Sequence, residues 1–106
     1  MNTEVGSAKN RIYQVTDLLP ETILGVADRT AAATTFEDLI YRESEVDAMW
    51  TLVDIQVRHA ELNESPDLER WLRLRNQLWQ AHDLIPAGEV AQAATLLRGL
   101  VDMLER

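Results

Sequence analysis

The stretch LNESPDLERWLRLRNQLWQAHDLIPAG, residues 62–88, decides how this chain folds. It opens on the turn sequence NESP, in which Ser65 and Pro66 together favour the start of a helix. It closes on Pro86 and Gly88, two residues that interrupt a helical pattern. Because apolar residues recur with helical spacing between these breaks, the stretch predicts one helix bounded by two short turns.

Helical spacing also dominates the chain on both sides of this stretch, and alternating apolar and polar runs typical of strands are absent. A chain of 106 residues can bury a core as one domain. We therefore predict an all-α fold over residues 1–106, a small antiparallel bundle of about five helices. Its parts are a flexible N-terminus over 1–6, an N-terminal helix pair over 7–34 and a three-helix core over 35–106.

Capping residues and prolines set the predicted helix boundaries. Pro20 begins helix two, and Pro66 begins helix four. Thr35 caps helix three, the longest, with Asp38 three residues later in a position like that of a capping box. The five predicted helices cover about 7–18, 20–30, 36–62, 66–84 and 89–105.

Helix four carries two polar residues where apolar residues are expected. At about 100° per residue, its Leu and Trp residues occupy one half of the helix, and Arg75 and His82 lie near the middle of that half. An unpaired charge buried there would cost too much free energy, so it needs a carboxylate partner or contact with water. Arg75 and His82 therefore predict acidic partners on a neighbouring helix.

Helix three supplies such partners. Four carboxylates share one flank of it, at Glu43, Asp47, Asp54 and Glu61. If helices three and four pair as an antiparallel αα-hairpin, residues whose numbers sum to about 129 lie level with each other. This register predicts the contacts Asp54–Arg75 and Asp47–His82.

Asp47, Asp54, Arg75 and His82 form a candidate polar seam between the two helices. One interpretation is a set of structural ion pairs, and the other is a pocket in a small helical enzyme or ligand-binding bundle. A metal site would combine Glu43 with Asp47 and His82, but the Glu-x-x-His motif of di-iron bundles precedes neither His of the chain. We therefore expect no metal and no cofactor.

A nucleic-acid interface has a weaker basis in the sequence. Arg70 and Arg73 project from helix four with Trp residues nearby, a combination that can stack on single strands. The hairpin register, however, places Trp79 opposite Trp50, inside the apolar interface. The net charge of −8 would also repel a polyanion or an anionic bilayer, which argues against nucleic acid and membrane.

The sequence lacks the motifs of several other classes of functional site. The chain has no Cys, its four Gly are not clustered into a phosphate-binding loop, and no Ser-His-Asp set marks a catalytic centre. His59 lacks the Lys-Gly pair that follows the His of phosphorelay domains. The N-terminus lacks the pattern of a signal peptide, and no run of about 18 apolar residues occurs, so we expect a cytoplasmic protein.

Surplus apolar surface suggests a function through contact with other chains. Helix five is apolar over about half its circumference, and helix three adds Ile40, Leu52, Ile55 and Leu62 away from its main stripe. We expect a non-enzymatic protein–protein interaction module, such as an adaptor, inhibitor or regulator, that forms a homodimer and can meet a basic partner protein. The candidate interaction surface consists of Glu37, Asp38, Glu43, Glu45, Leu96, Leu100 and Met103.

Overall fold

A computed structural model describes residues 18–105 of the chain, and these residues form four helices and no strand. The helices are α1 (described over 18–31), α2 (Phe36–Leu62), α3 (Leu68–Leu84) and α4 (Val90–Glu105). The all-helical prediction is confirmed for these residues, which form four helices where five were predicted over the whole chain. The predicted flexible segment 1–6, and predicted helix one apart from residue 18, lie outside the described residues.

The extra predicted helix came from reading Pro20 as a helix start. Leu18 and Leu19 are already helical, so Pro20 lies within α1 and does not open a helix of its own. Proline disfavours a helix interior because it lacks an N–H and its ring crowds the preceding turn. Leu19 and Ile23, on either side of Pro20, are both buried in the core. Both side chains therefore face the core from one continuous helix, which proline as a boundary signal did not indicate.

The start of α2 follows the predicted cap. Thr35 has extended backbone angles, and its hydroxyl oxygen accepts a hydrogen bond from the Asp38 N–H at 3.1 Å. The Asp38 carboxylate in turn accepts from the Thr34 N–H at 3.4 Å. Hydrogen bonds from Thr34 and then from Thr35 lower the pKa of Asp38. These contacts satisfy N–H groups that the first turn of a helix leaves without partners.

A short turn joins α2 to α3. The Ser65 N–H donates to the Ala60 carbonyl at 2.9 Å, and the Ser65 hydroxyl accepts from the Asp67 N–H at 3.2 Å. The helix begins at Leu68, two residues later than predicted, because Pro66 and Asp67 belong to the turn. Ser65 therefore organises the turn that precedes the helix rather than capping the helix directly.

A second short turn joins α3 to α4 and depends on glycine. Gly88 has a φ of 80°, in the left-handed region that other residues avoid. Its N–H donates to the Ile85 carbonyl at 2.9 Å, and the Glu89 N–H donates to the Leu84 carbonyl at 3.0 Å. These bonds end α3 and reverse the chain direction within a few residues.

Buried side chains from all four helices form one apolar cluster. α2 packs against α3, and α3 packs against α4. α1 is linked to α2 by an ion pair between Arg29 and Glu45, and to α4 by Arg98, which donates to Asp28 at 3.1 Å. The members of the cluster with no exposed surface include Ile23, Ala27, Val46, Val53, Val57, Leu74, Leu78, Ala81, Ile85, Ala93, Leu97 and Leu100.

Candidate functional site

The best-formed part of the polar seam is the ion pair between Asp54 of α2 and Arg75 of α3. Arg75 Nη1 donates to Asp54 Oδ1 at 2.7 Å, which confirms this predicted contact. The other carboxylate oxygen accepts from Arg58 Nε at 3.1 Å. The Arg75 guanidinium carbon also lies 6.0 Å from the centre of the Trp50 ring, within the range of a cation–π contact.

These contacts decide what Asp54 can do chemically. Hydrogen bonds from Arg58 and then from Arg75 lower the pKa of Asp54. A carboxyl group whose pKa is lowered stays ionised at neutral pH, whereas a general acid there needs a raised pKa. Both of its oxygens already accept hydrogen bonds. Asp54 therefore joins two helices, and its chemistry is that of a structural acceptor.

The second predicted contact, Asp47–His82, is wrong. His82 Nε2 lies 3.5 Å from Glu43 Oε1, and His82 Nδ1 lies 3.3 Å from Asp83 Oδ1. Asp47 is exposed and forms no ion pair within the part of the chain that the structure describes. Glu43 precedes Asp47 by one helical turn, about 5–6 Å along the helix axis. The register estimated from residue numbers is not precise enough to distinguish two acids that lie one turn apart on the same flank of the helix.

Aromatic rings line the seam beside these polar groups. The predicted approach of Trp50 to Trp79 is confirmed, with ring centres 5.6 Å apart and planes tilted by 59°. The Trp79 ring also stacks on the His82 ring, with centres 4.4 Å apart and planes within 7°. Trp79 remains 44% exposed, although we expected it inside the apolar interface. Trp79 lies about 80° around the helix from Trp71, at the margin of the apolar arc, and this position could have indicated its partial exposure.

The four residues proposed for the seam do not converge on one point. Asp54 with Arg75 and Glu43 with His82 form two separate pairs. Residues 43 and 54 are separated by roughly 16 Å along a straight helix. Among residues 18–105, no group of three or more His, Asp or Glu side chains could hold a metal ion.

The acidic half of the candidate interaction surface is largely used within the chain. The Asp38 carboxylate accepts a hydrogen bond from the Thr34 N–H just before α2, and Glu43 lies next to His82. Glu45 accepts from Arg29, and its Oε1 lies 2.7 Å from Arg42 Nε. Only Glu37, exposed near the start of α2, lacks such a partner among the described residues.

The apolar half of that surface lies mostly in the core. Leu100 has no exposed surface, so it cannot be part of a docking face. Leu96 and Met103 are partly buried against the core cluster. The apolar face of α4 is covered because α3 packs along it and α1 approaches it at Arg98.

Exposed apolar surface is found on α2 instead. Nine large apolar side chains are exposed among the described residues, and six of them belong to this one helix. Tyr41 is 63% exposed, Ile55 54% and Leu62 84%. Phe36, Ile40 and Leu52 complete the six. The sequence already placed four of these side chains away from the main apolar stripe of the helix, but it did not identify them as the dominant exposed set.

Comparison of the chain with models of protein families, with curated proteins and with solved structures finds no match. No helix among residues 18–105 is both long enough and apolar enough to cross a membrane.

Proposed function

We propose that this protein is a helical protein–protein interaction module and not an enzyme. The observation that carries the proposal is the face of α2 that exposes Tyr41, Leu52, Ile55 and Leu62, which fall within about 80° of the helix circumference. Phe36, at the first residue of the helix, lies outside this arc. Large apolar side chains gathered on one face of a surface helix are typical of a contact with another protein. A site for chemistry has less support, because Asp54 and Arg75 are paired with each other, while His82 lies beside Glu43 in a separate pair.

The proposed contact is apolar rather than electrostatic. Three of the four acidic residues first assigned to the interaction surface bind groups of their own chain, which reduces their ability to attract a basic partner. Ile55 and Leu62, in contrast, expose more than half of their surface. Apolar contacts are not screened by salt, whereas contacts between exposed charges are. We therefore expect partner binding to survive about 0.5 M salt, a concentration at which the Debye length is well under 8 Å.

The test is affinity capture from a cell extract with the full chain at low and at about 0.5 M salt. The wild type is compared with Ile55→Glu and with the control variant Phe36→Glu. Phe36 is 76% exposed but lies at the first residue of α2, roughly 100° around the helix from Ile55. Both substitutions add one acidic group to an exposed apolar position of the same helix.

The expected result is a protein, another copy of the chain included, that the wild type and Phe36→Glu retain in high salt and Ile55→Glu loses. Equal capture by all three proteins, or capture only at low salt, would contradict the proposal. Capture only at low salt would indicate that the acidic residues, and not the apolar face, bind the partner.

A further inference from the structure

The exposed face of α2 has a regular spacing that the count of apolar residues does not reveal. Seven positions separated alternately by four and three residues run along this face and define the outer stripe: Tyr41, Glu45, Ala48, Leu52, Ile55, His59 and Leu62. Alternating steps of four and three are the spacing by which one helix packs along another in a coiled coil. The stripe spans about 32 Å, or three heptads.

The outer stripe is complementary to itself when its direction is reversed. Around a two-fold axis at Leu52, positions whose numbers sum to 103 or 104 come level. Small Ala48 then meets large Ile55 of a second copy, and Tyr41 meets Leu62 of the second copy. Leu52 meets itself. A small residue facing a large one, as at the Ala48–Ile55 level, favours close packing of two helices.

The two polar positions of the stripe support the same orientation. In the reversed arrangement Glu45 lies level with His59 of the second copy, so an acceptor meets a possible donor. In a parallel arrangement Glu45 would meet Glu45, and like charges in such a seam are unfavourable. Glu45 already contacts both Arg29 and Arg42 of its own chain, but its side chain remains 27% exposed. A carboxylate has about four acceptor sites, so it can take a further donor.

One flank of the stripe adds a further charge pair. Asp47 and Arg58 are exposed on the same side of α2. Their numbers sum to 105, so each lies nearly level with the other on a second copy. Asp47 forms no ion pair with the described residues of its own chain, and the Arg58 side chain is 75% exposed. The reversed arrangement would bring the two opposite charges together twice.

We propose that two copies of this chain pair antiparallel through the outer stripe of α2, with the two-fold axis at Leu52. This inference rests on the proposed function, since it names the partner of the same face. The contact is isologous, so it closes after two copies and does not propagate into a fibre.

The first experiment measures the mass of the full chain by light scattering at micromolar concentration. The wild type is expected at twice the chain mass of 12.1 kDa, and Ile55→Glu at the single-chain mass with unchanged helical circular dichroism. Phe36→Glu, the matched control, is expected to remain dimeric. A monomeric wild type would overturn the inference. If Ile55→Glu also lost its helical signal, Ile55 would be needed for the fold of its own chain, which would overturn the inference.

The second experiment tests the direction of pairing by oxidative cross-linking. The chain contains no Cys, so an introduced Cys is the sole reactive thiol. Leu52→Cys is expected to cross-link to itself, and a mixture of Ala48→Cys with Ile55→Cys to cross-link between the two variants. With either variant alone, the two Cα atoms would be offset by about 10–11 Å along the helix axis, which already exceeds the range of a disulfide.

Efficient cross-linking of Ala48→Cys with itself would identify a parallel pair and overturn the inference. Cross-linking no greater than that of Phe36→Cys would overturn it as well. The proposed function and the proposed dimer are distinguished by different outcomes. A monomeric chain that captures another protein through Ile55 would keep the interaction function and lose the dimer, whereas a cross-linked dimer that captures nothing else would limit the function to self-association.

Discussion

The two apolar faces of α2 have similar side chains and opposite surroundings. The inner face, Val46, Met49, Val53, Val57 and Ala60, is at most 4% exposed and packs into the core. The outer stripe carries Leu52, Ile55 and Leu62, which are 38% to 84% exposed. Residue type alone does not separate these two faces. The neighbouring helices do, because the inner face belongs to the core cluster and packs against α3.

The two faces of α2 therefore have different roles, one in folding and one in association. Burial of the inner face supplies hydrophobic free energy to folding, which offsets part of the entropy lost by ordering the chain. The outer stripe contributes little to folding while it faces water, and its free energy remains available for association. α2 therefore serves the fold with one face and, as we propose, a partner with the other.

The largest expected effect tests the inner face. Met49 is 2% exposed, and Met49→Ala would leave a cavity in the core. We expect this change to lower the free energy of unfolding by about 2–5 kcal/mol. Urea denaturation followed by circular dichroism measures it. A loss below about 1 kcal/mol would mean that the inner face is not the main support of the bundle.

A smaller effect is expected at the border between the two faces, where Asp54 binds Arg75. The folded-state pKa of Asp54 is lowered, so its contribution to stability is complete above the unfolded value of about 3.9. That contribution is lost as the pH falls through the lowered pKa. We expect the free energy of unfolding to change little between about pH 7 and 5 on this account and to fall below that range.

Asp54→Asn provides the matched comparison for this border. The variant should be less stable than the wild type at pH 7, and the difference should shrink as the pH is lowered below 4. Denaturation curves at several pH values measure both quantities. A difference that stays constant down to the lowest pH would show that Asp54 acts through packing and not through its charge.

The smallest effect on stability is expected on the outer stripe. Ile55→Ala, measured at a concentration where the chain is monomeric, should change the free energy of unfolding by no more than about 0.5 kcal/mol. The same substitution should weaken dimerisation, so the two readouts separate folding from association. A loss of several kcal/mol in the monomer would mean that Ile55 is covered by its own chain, and the difference between the two faces would disappear.

Much of the fold could be predicted because local signals agreed with the packing. Thr35 and Asp38 marked the start of α2, and Gly88 marked the turn into α4. Pro20 misled because proline is common at the start of a helix, whereas the structure places it after two residues that are already helical. The predicted boundaries agreed with the structure at Thr35 and Gly88, where the local signal and the packing favoured the same boundary.

The candidate site was less accessible to sequence reasoning. The pair Asp54–Arg75 could be found because a charge on an apolar face demands a partner. That His82 lies next to Glu43 and not next to Asp47 could not be predicted, since the two acids are only one helical turn apart. Leu100 looked like surplus apolar surface, and its burial depends on how α4 meets the other helices. Tertiary arrangement decided each of these cases.

The short turns between successive helices have a consequence for the order of events during folding. α2 and α3 are joined by five residues, 63–67, and α3 and α4 by five more, 85–89. Contacts between neighbours in sequence need little loop closure, so bundles of this kind fold in microseconds to milliseconds. The pair Asp28–Arg98 is different, because it closes a loop of 70 residues. We expect the hairpins of α2, α3 and α4 to form first, and the docking of α1 onto α4 to complete the native state.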